Sequence, residues 1–142
     1  MSIRTISMAI FLALTVAPAF GAVTISDDSG GQIGEYLSKF QGLRMSGEKV
    51  VIDGTCASAC TMILGSIPRD RICVTPRAVL EFHYAWDMTP SGGQEASIAG
   101  NRILWSNYPG TVRSWIARHG GLHSQIIYLR GAELTAMYPI CQ

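Results

Sequence analysis

The N-terminal segment constrains this chain most, because it determines which residues fold and in which compartment. A single positive charge at Arg4 precedes an almost unbroken apolar run over 6–16, and small residues occupy positions 17, 19, 21 and 22. This order is typical of a secretory signal peptide. The run is shorter than the stretch of about 20 apolar residues that crosses a bilayer, although an uncleaved anchor is the alternative. We therefore expect a signal peptide over 1–22 and a protein that is exported to the periplasm or secreted.

The remaining residues, 23–142, fit a single domain of about 120 residues. The chain is 48% hydrophobic and 15% charged, which excludes a disordered protein. Its 11 Lys and Arg against 10 Asp and Glu leave no basic surplus for phosphates, so we expect no nucleic-acid partner. No later apolar stretch is long enough to span a bilayer, and we expect no membrane association after signal cleavage.

The four cysteines, Cys56, Cys60, Cys73 and Cys141, predict disulfides if the chain is exported, and three pairings exist. Zinc binding is the alternative. However, the Cys56-x3-Cys60 spacing differs from a CxxC knuckle and no His stands at finger spacing, so we predict no metal site. One helical turn brings Cα atoms about 6 Å apart, within the range of a disulfide, which permits Cys56–Cys60. Cys60–Cys73 with Cys56–Cys141 is the alternative, because a helix start and the end of the next strand share one sheet edge.

The apolar pattern predicts strands that alternate with helices. The predicted strands are 23–26, 49–53, 71–74 and 78–83, and the predicted helices are 32–44, 59–65, 94–108, 111–118 and 131–138. Residues 54–58 are predicted to form a tight turn and 86–93 a loop. Such alternation favours an α/β domain with parallel strand pairing.

Ser58 lies where a buried strand leads through small residues into an apolar helix. A serine at such a turn projects from the end of the sheet, and the unpaired amides at the helix start face whatever it attacks. The alternative is an ordinary N-cap serine. His83 ends the strand 78–83, and ends of neighbouring parallel strands meet at one sheet edge. Its imidazole is therefore a candidate base for Ser58, with a structural histidine as the alternative. The flexible backbone of Gly30-Gly31 is a candidate source of N–H donors to an oxyanion, and a plain turn is the alternative.

Together these motifs are similar to a known family. Gly30-Gly31, Cys56-Ala57-Ser58-Ala59-Cys60 and Leu80-Glu81-Phe82-His83 occur in the order and near the spacing of the Clp protease proteolytic subunit. The chain thus resembles the ClpP/crotonase superfamily over about 30–142, and most of all its small secreted relatives with a CxSAC motif. The resemblance implies a trimmed ClpP/crotonase-like fold: a mostly parallel sheet with repeated β-β-α units and C-terminal helices.

The resemblance also implies roles for single residues. Ser58 corresponds to the nucleophile, His83 to the general base, and Gly31 and Ala59 to the backbone donors of the oxyanion hole. The family's third residue, an Asp, has no counterpart, because 120–132 contains no acid. Glu133 and Asp87 are the candidates to replace it. In the related fold the chain returns to the sheet after its last helix, which favours Cys73–Cys141 together with Cys56–Cys60.

Two functions follow from this resemblance. The first is an exported Ser–His hydrolase, such as a peptidase, acting on a peptide or small acyl substrate. The second is a catalytically silent binding or structural module of the same fold. An acyl-CoA enzyme lacks support, because no basic cluster would hold the phosphates of coenzyme A. We expect no cofactor and no ATP-dependent unfoldase, with a homo-oligomer as a further expectation.

Overall fold

The computed structural model describes residues 21–142, so almost all of the predicted signal peptide at 1–22 lies outside the described residues. The described part is a mixed α/β domain, as the sequence predicts. No helix within 21–142 combines the length and the apolar character needed to cross a membrane.

The secondary structure comprises eight short strands, five helices and two 3-10 turns in the described residues. The strands are β1 (Ala22–Ile25), β2 (Lys49–Ile52), β3 (Thr55–Ala57), β4 (Ile72–Val74), β5 (Val79–Phe82), β6 (Trp86–Met88), β7 (Gln94–Ala96) and β8 (Ile127–Arg130). The helices are α1 (Ile33–Ser46), α2 (Ile63–Ser66), α3 (Ile98–Asn107), α4 (Gly110–Arg118) and α5 (Gly131–Thr135). The 3-10 turns are Ser58–Met62 and Arg69–Arg71.

The strands form two small sheets and one hairpin. The first sheet has the order β1-β2-β4 with parallel pairing throughout. In the second, of order β3-β5-β8, β3 is parallel to β5 and β8 is antiparallel to it. Strands β6 and β7 form a separate antiparallel hairpin. The expectation of one mostly parallel sheet is therefore corrected: the sheets are short and contain both strand orientations.

Several strands differ from the prediction for local reasons. Strand β3 lies in the predicted turn 54–58, because its three small residues pair along β5 rather than turning at once. Strands β6 and β7 replace the predicted loop and the first turn of the predicted helix 94–108. All six of their residues are exposed, so packing against the core imposes no alternation of apolar and polar residues that would predict these strands. The helix begins only after Ser97, whose hydroxyl accepts a hydrogen bond from the Gly100 amide.

The core lies between the two sheets and the helices. Its largest fully buried side chains include Phe40 of α1, Ile52 of β2, Phe82 of β5 and Trp115 of α4. Val50 and Ile52 are fully buried while Val51 between them is only partly so, as the two-residue period of a strand requires. Strand β5 thus carries apolar side chains into the core up to Phe82, the residue before His83.

The two disulfides are Cys56–Cys60 and Cys73–Cys141, which confirms the favoured pairing. The second joins β4 to the C-terminus, where the Val74 amide donates to the Pro139 carbonyl and the Cys141 amide to the Val74 carbonyl. The chain therefore returns beside β4 with one added bridge at Ile140. Two closed disulfides are consistent with folding in an oxidising compartment.

Removing the long-range disulfide should destabilise the fold. The cysteines of Cys73–Cys141 are 68 residues apart in sequence, and the chain-entropy account assigns such a loop about 4 kcal/mol. We expect the Cys73→Ala/Cys141→Ala variant to lose roughly that much free energy of unfolding in urea titrations. A loss of under about 1 kcal/mol would show that backbone pairing at Val74 alone holds the C-terminus.

Candidate active site

A cleft of about 880 Å³ lies between α1, the end of β5, the β6–β7 hairpin and α3. Ser58, His83, Gly31 and Ala59, the four residues that the sequence nominates for catalysis, all line this one cleft. Its volume is within the range of small-molecule and peptide sites.

Strand pairing explains why Ser58 and His83 share a sheet edge. In the parallel pair β3 and β5, Ala57 stands beside Glu81. Ser58 follows Ala57, the last residue of β3, and His83 follows Phe82, the last residue of β5. Neighbouring strands are about 4.8 Å apart, so both side chains leave the sheet at the same edge.

The backbone of Ser58 has an unusual conformation. Its φ is 55°, in the left-handed region that disfavours residues with a Cβ. Within 21–142, Asp27 is the only other non-glycine residue with positive φ. The 3-10 turn begins after Ala57 and no side chain caps it, so the N-cap interpretation of Ser58 is wrong. Such strain costs about 1–3 kcal/mol and persists where the surroundings impose it.

A buried hydrogen-bond chain holds the carbonyl of Ser58. The Thr61 hydroxyl donates to that carbonyl at 2.6 Å and lies 2.7 Å from the Tyr108 hydroxyl. Because Thr61 has one proton, Tyr108 is the donor to Thr61. Burial raises the pKa of Tyr108 to about 12, so the phenol keeps its proton. The Tyr108 ring in turn packs edge-on against Phe82, which links this chain to the residue before His83.

His83 is oriented by a backbone carbonyl rather than by a carboxylate. Its Nδ1 lies 2.7 Å from the carbonyl oxygen of Tyr84. A carbonyl only accepts hydrogen bonds, so Nδ1 carries the proton and Nε2 keeps a lone pair. This is the neutral tautomer that a general base requires.

Neither of the acids suggested by the sequence contacts His83. Glu133 lies 3.7 Å from Nε2 of His119, a different histidine, so its role as a third catalytic residue is not supported. Asp87 lines the cleft on the exposed strand β6 and forms no ion pair in the described residues. Segment 120–132 contains no acid, and no carboxylate elsewhere in residues 21–142 forms an ion pair or hydrogen bond with His83 in its place.

Asn101 of α3 fixes the backbone that follows His83. Its side-chain oxygen accepts from the Ala85 amide at 2.8 Å, and its nitrogen donates to the Ala85 carbonyl at 3.1 Å and the Ser97 carbonyl at 2.7 Å. The Tyr84 amide also donates to the His123 carbonyl at 3.0 Å. Sequence analysis missed Asn101, because a single Asn in a helix carries no signal of its tertiary partners.

Gly30 brings the glycine loop into direct contact with the Ser58 turn. A Cβ on Gly30 would lie 2.5 Å from the Ala57 carbonyl oxygen, 2.7 Å from Ser58 Cβ and 3.0 Å from the Ala59 nitrogen. Its φ of 82° also favours glycine. The Gly30 amide donates to Asp28 Oδ1 at 2.9 Å, so Gly31 provides the next amide of this loop along the cleft.

Asp28 anchors this loop through its carboxylate. Besides Gly30, it accepts a short hydrogen bond from the Tyr36 hydroxyl and one from Lys39 Nζ at 3.1 Å. Burial raises the pKa of the Asp28 carboxyl, but these hydrogen bonds outweigh burial and bring it below its ordinary value. Burial and the bond to Asp28 raise the pKa of Tyr36 to about 12.

The walls of the cleft are mostly apolar. Helix α1 contributes Ile33 and Leu37, the hairpin contributes Trp86 and Met88, and α3 contributes Ile103 and Leu104. No Lys or Arg is among the lining residues, which fits a neutral substrate better than a polyphosphate. Within 21–142 no group of three or more His, Cys, Asp and Glu is placed to hold a metal ion.

Comparison with protein-family models gives no match for this chain. Comparison with curated proteins gives none at a significant level. The functional interpretation therefore depends on the geometry of the cleft.

Gly30→Ala should disrupt the site and the local fold. The added methyl would meet backbone atoms at Ala57 and Ala59 and would carry an unfavourable φ, so we expect a loss of roughly 2 kcal/mol in the free energy of unfolding. Gly42→Ala is the matched control, since Gly42 lies exposed in α1 with nothing within 4 Å of an added Cβ. That variant should gain about 0.5–1 kcal/mol. Equal effects in urea titrations would contradict the close contact at Gly30.

Asp28→Asn should destabilise the protein in a pH-dependent way. At pH 7 we expect a loss of about 1–2 kcal/mol, because charged acceptors form the stronger hydrogen bonds. The lowered folded-state pKa means that wild-type Asp28 stabilises the fold above about pH 4 and loses this contribution as the pH falls. The gap between wild type and variant should therefore narrow in acid. Asp70→Asn, at an exposed turn, is the control, and a gap that stays constant from pH 7 to pH 3 would be evidence against this role.

Proposed function

We propose that this protein is a serine hydrolase in which Ser58 is the nucleophile and His83 is the general base. The observation that carries the proposal is the convergence of three features on one cleft. These are a serine in a left-handed turn, a histidine whose Nδ1 is satisfied by a carbonyl, and a glycine loop packed against the serine.

The reaction follows from these groups. Nε2 of His83 accepts the proton of the Ser58 hydroxyl as its oxygen attacks a carbonyl carbon of the substrate. The amides of Gly31 and Ala59 stabilise the negative charge on the carbonyl oxygen in the tetrahedral intermediate. His83 then protonates the leaving group, and a water molecule activated in the same way hydrolyses the acyl-enzyme.

The carbonyl of Tyr84 performs part of the task of the absent acid. Replacing the acid of a triad by an amide lowers kcat about 10⁴-fold, because the wrong imidazole tautomer forms. A backbone carbonyl cannot donate, so it keeps the correct tautomer on His83. It carries no full charge to stabilise the imidazolium, and we expect hydrolysis slower than that of a complete triad.

The substrate class follows from the lining of the cleft. Leu37, Trp86, Met88 and Ile103 are each 39–60% exposed, and all four face the cleft. Burying such side chains against an apolar group contributes about 25 cal/mol per Å². We infer that the substrate is a peptide or an acyl ester with an apolar group next to the bond that is cleaved.

The proposal extends to the fold family and the compartment. Parallel strands that end in Ser58 and His83, together with the Gly30-Gly31 loop, support membership of the ClpP/crotonase superfamily. The paired cysteines support export to the periplasm or secretion, in agreement with the apolar segment at the N-terminus.

A silent binding module of the same fold is the second candidate. The observation that favours it is the lack of a carboxylate at His83 in the described residues, since the imidazolium would have no charged partner. Such a module would hold a peptide in the same cleft without cleaving it.

A fluorophosphonate probe distinguishes the two candidates. We expect the probe to label the wild-type protein at one site and Ser58→Ala to abolish labelling. We expect His83→Gln to lower the labelling rate by about 10²-fold or more, the usual contribution of a general base. Ser29→Ala is the matched control, because Ser29 is an exposed serine that lines the same cleft.

The outcomes separate the hypotheses. Labelling that persists in Ser58→Ala would show that Ser58 is not the nucleophile. A folded wild-type protein that never reacts would rule out the hydrolase and leave the binding module, which peptide-binding measurements would then test.

A further inference from the structure

We propose that the Cys56–Cys60 disulfide is a positioning device for Ser58, which holds this residue in its left-handed conformation and makes its reactivity depend on this bond. The inference rests on the proposed hydrolase function. It adds a requirement that neither the Ser58–His83 pair nor the fold implies.

The disulfide spans the strained residue symmetrically. Cys56 lies two residues before Ser58 in β3, and Cys60 two residues after it in the 3-10 turn. The bond fixes their Cα atoms 5.3 Å apart, and both cysteines are fully buried. Because Cys56 and Ala57 are extended, the chain reverses at Ser58, and the positive φ of this residue provides the reversal.

Three other contacts hold the turn and its neighbours. The Ala57 amide donates to the Asp28 carbonyl at 2.8 Å, and Thr61 donates to the Ser58 carbonyl. Gly30 packs against the same turn from the cleft side. The disulfide differs from these contacts because it joins a residue before Ser58 to one after it, and so it limits the distance that a change of φ at Ser58 would alter. Without the bond, Ser58 gains about 1–3 kcal/mol by leaving the left-handed region.

A relaxed Ser58 would be a poor nucleophile. Rotation about φ moves the hydroxyl relative to His83 Nε2 and turns the Ala59 amide, one of the two oxyanion donors. Displacement of a reacting group by 1 Å lowers a rate by about 10²-fold. The expected defect thus lies in the chemical step rather than in probe binding, because the apolar walls on α1, α3 and the hairpin are unaffected.

The second disulfide provides a matched control. Cys56–Cys60 and Cys73–Cys141 are both intramolecular bonds to strand residues, but their sequence separations are 4 and 68. Stabilisation through the unfolded state grows with loop length, so the long bond contributes more to the fold. The short bond should contribute more to the geometry of Ser58.

The experiment compares Cys56→Ala/Cys60→Ala with Cys73→Ala/Cys141→Ala. For each we would measure the melting temperature, the maximal fluorophosphonate labelling rate and the probe concentration for half-maximal rate, well below both transitions. We expect the maximal labelling rate of the first variant to fall about 10- to 100-fold, while the probe concentration for half-maximal rate stays unchanged. Its melting temperature should fall less than that of the second variant. The second variant should melt lower and label at the wild-type rate.

Two results would overturn the inference. One is wild-type labelling by Cys56→Ala/Cys60→Ala. The other is a drop in its melting temperature as large as that of the control pair, which would make the bond a general stabiliser of the fold.

A measurement independent of activity separates this inference from the hydrolase proposal. NMR chemical shifts and scalar couplings of Ser58 report its φ in both proteins. A positive φ in wild type that becomes negative in Cys56→Ala/Cys60→Ala supports the positioning device even if the wild-type protein proves unreactive. A positive φ that survives in the variant refutes it, whatever the labelling shows.

Discussion

The attachment of Asp28 to three elements is the constraint on which the site depends. Its backbone pairs with β3, where its amide donates to the Thr55 carbonyl and its carbonyl accepts from the Ala57 amide. Its carboxylate binds the Gly30 amide and the first turns of α1 through Tyr36 and Lys39. One residue thus sets the glycine loop, helix α1 and the approach to Ser58 in a single arrangement. The loop can contact the turn only because position 30 has no Cβ.

The second half of the site is set from the core. Phe82 is fully buried against Tyr108 and Trp115, which fixes the end of β5 and therefore the start of the His83 segment. Tyr108 also reaches Thr61 and, through it, the carbonyl of Ser58. Ser58 and His83 are consequently supported by the same buried aromatic cluster. Their relative position depends on core packing, and the loops alone would not maintain it.

Sequence reasoning succeeded where chain order carries the information. The strand 49–53, the helix 32–44 and the Cys56–Cys60 pair follow from local apolar patterns and short spacing, and the structure contains all three. It missed β8, which pairs with β5, although the β-branched and aromatic residues of 127–130 are typical of a strand. Thr61, Tyr108 and Asn101 were missed because each has a partner distant in sequence, and Asp28 was missed although its side-chain partners lie only 2–11 residues away. Ser58 and His83 could be nominated from the sequence because each follows an apolar strand.

The contact between the Tyr84 carbonyl and His83 replaces only one of the two tasks that a carboxylate performs for a catalytic histidine. A carboxylate both selects the imidazole tautomer and stabilises the imidazolium by its charge. A carbonyl 2.7 Å from Nδ1 performs the first task at a smaller desolvation penalty, because a neutral carbonyl loses less hydration than a charged carboxylate. The second task is left to the partial negative charge of the carbonyl oxygen, which attracts a cation less strongly than a carboxylate does. For the hydrolase proposed above, this contact would keep His83 in the correct tautomer but activate it less than a carboxylate does, and slow hydrolysis is the expected consequence.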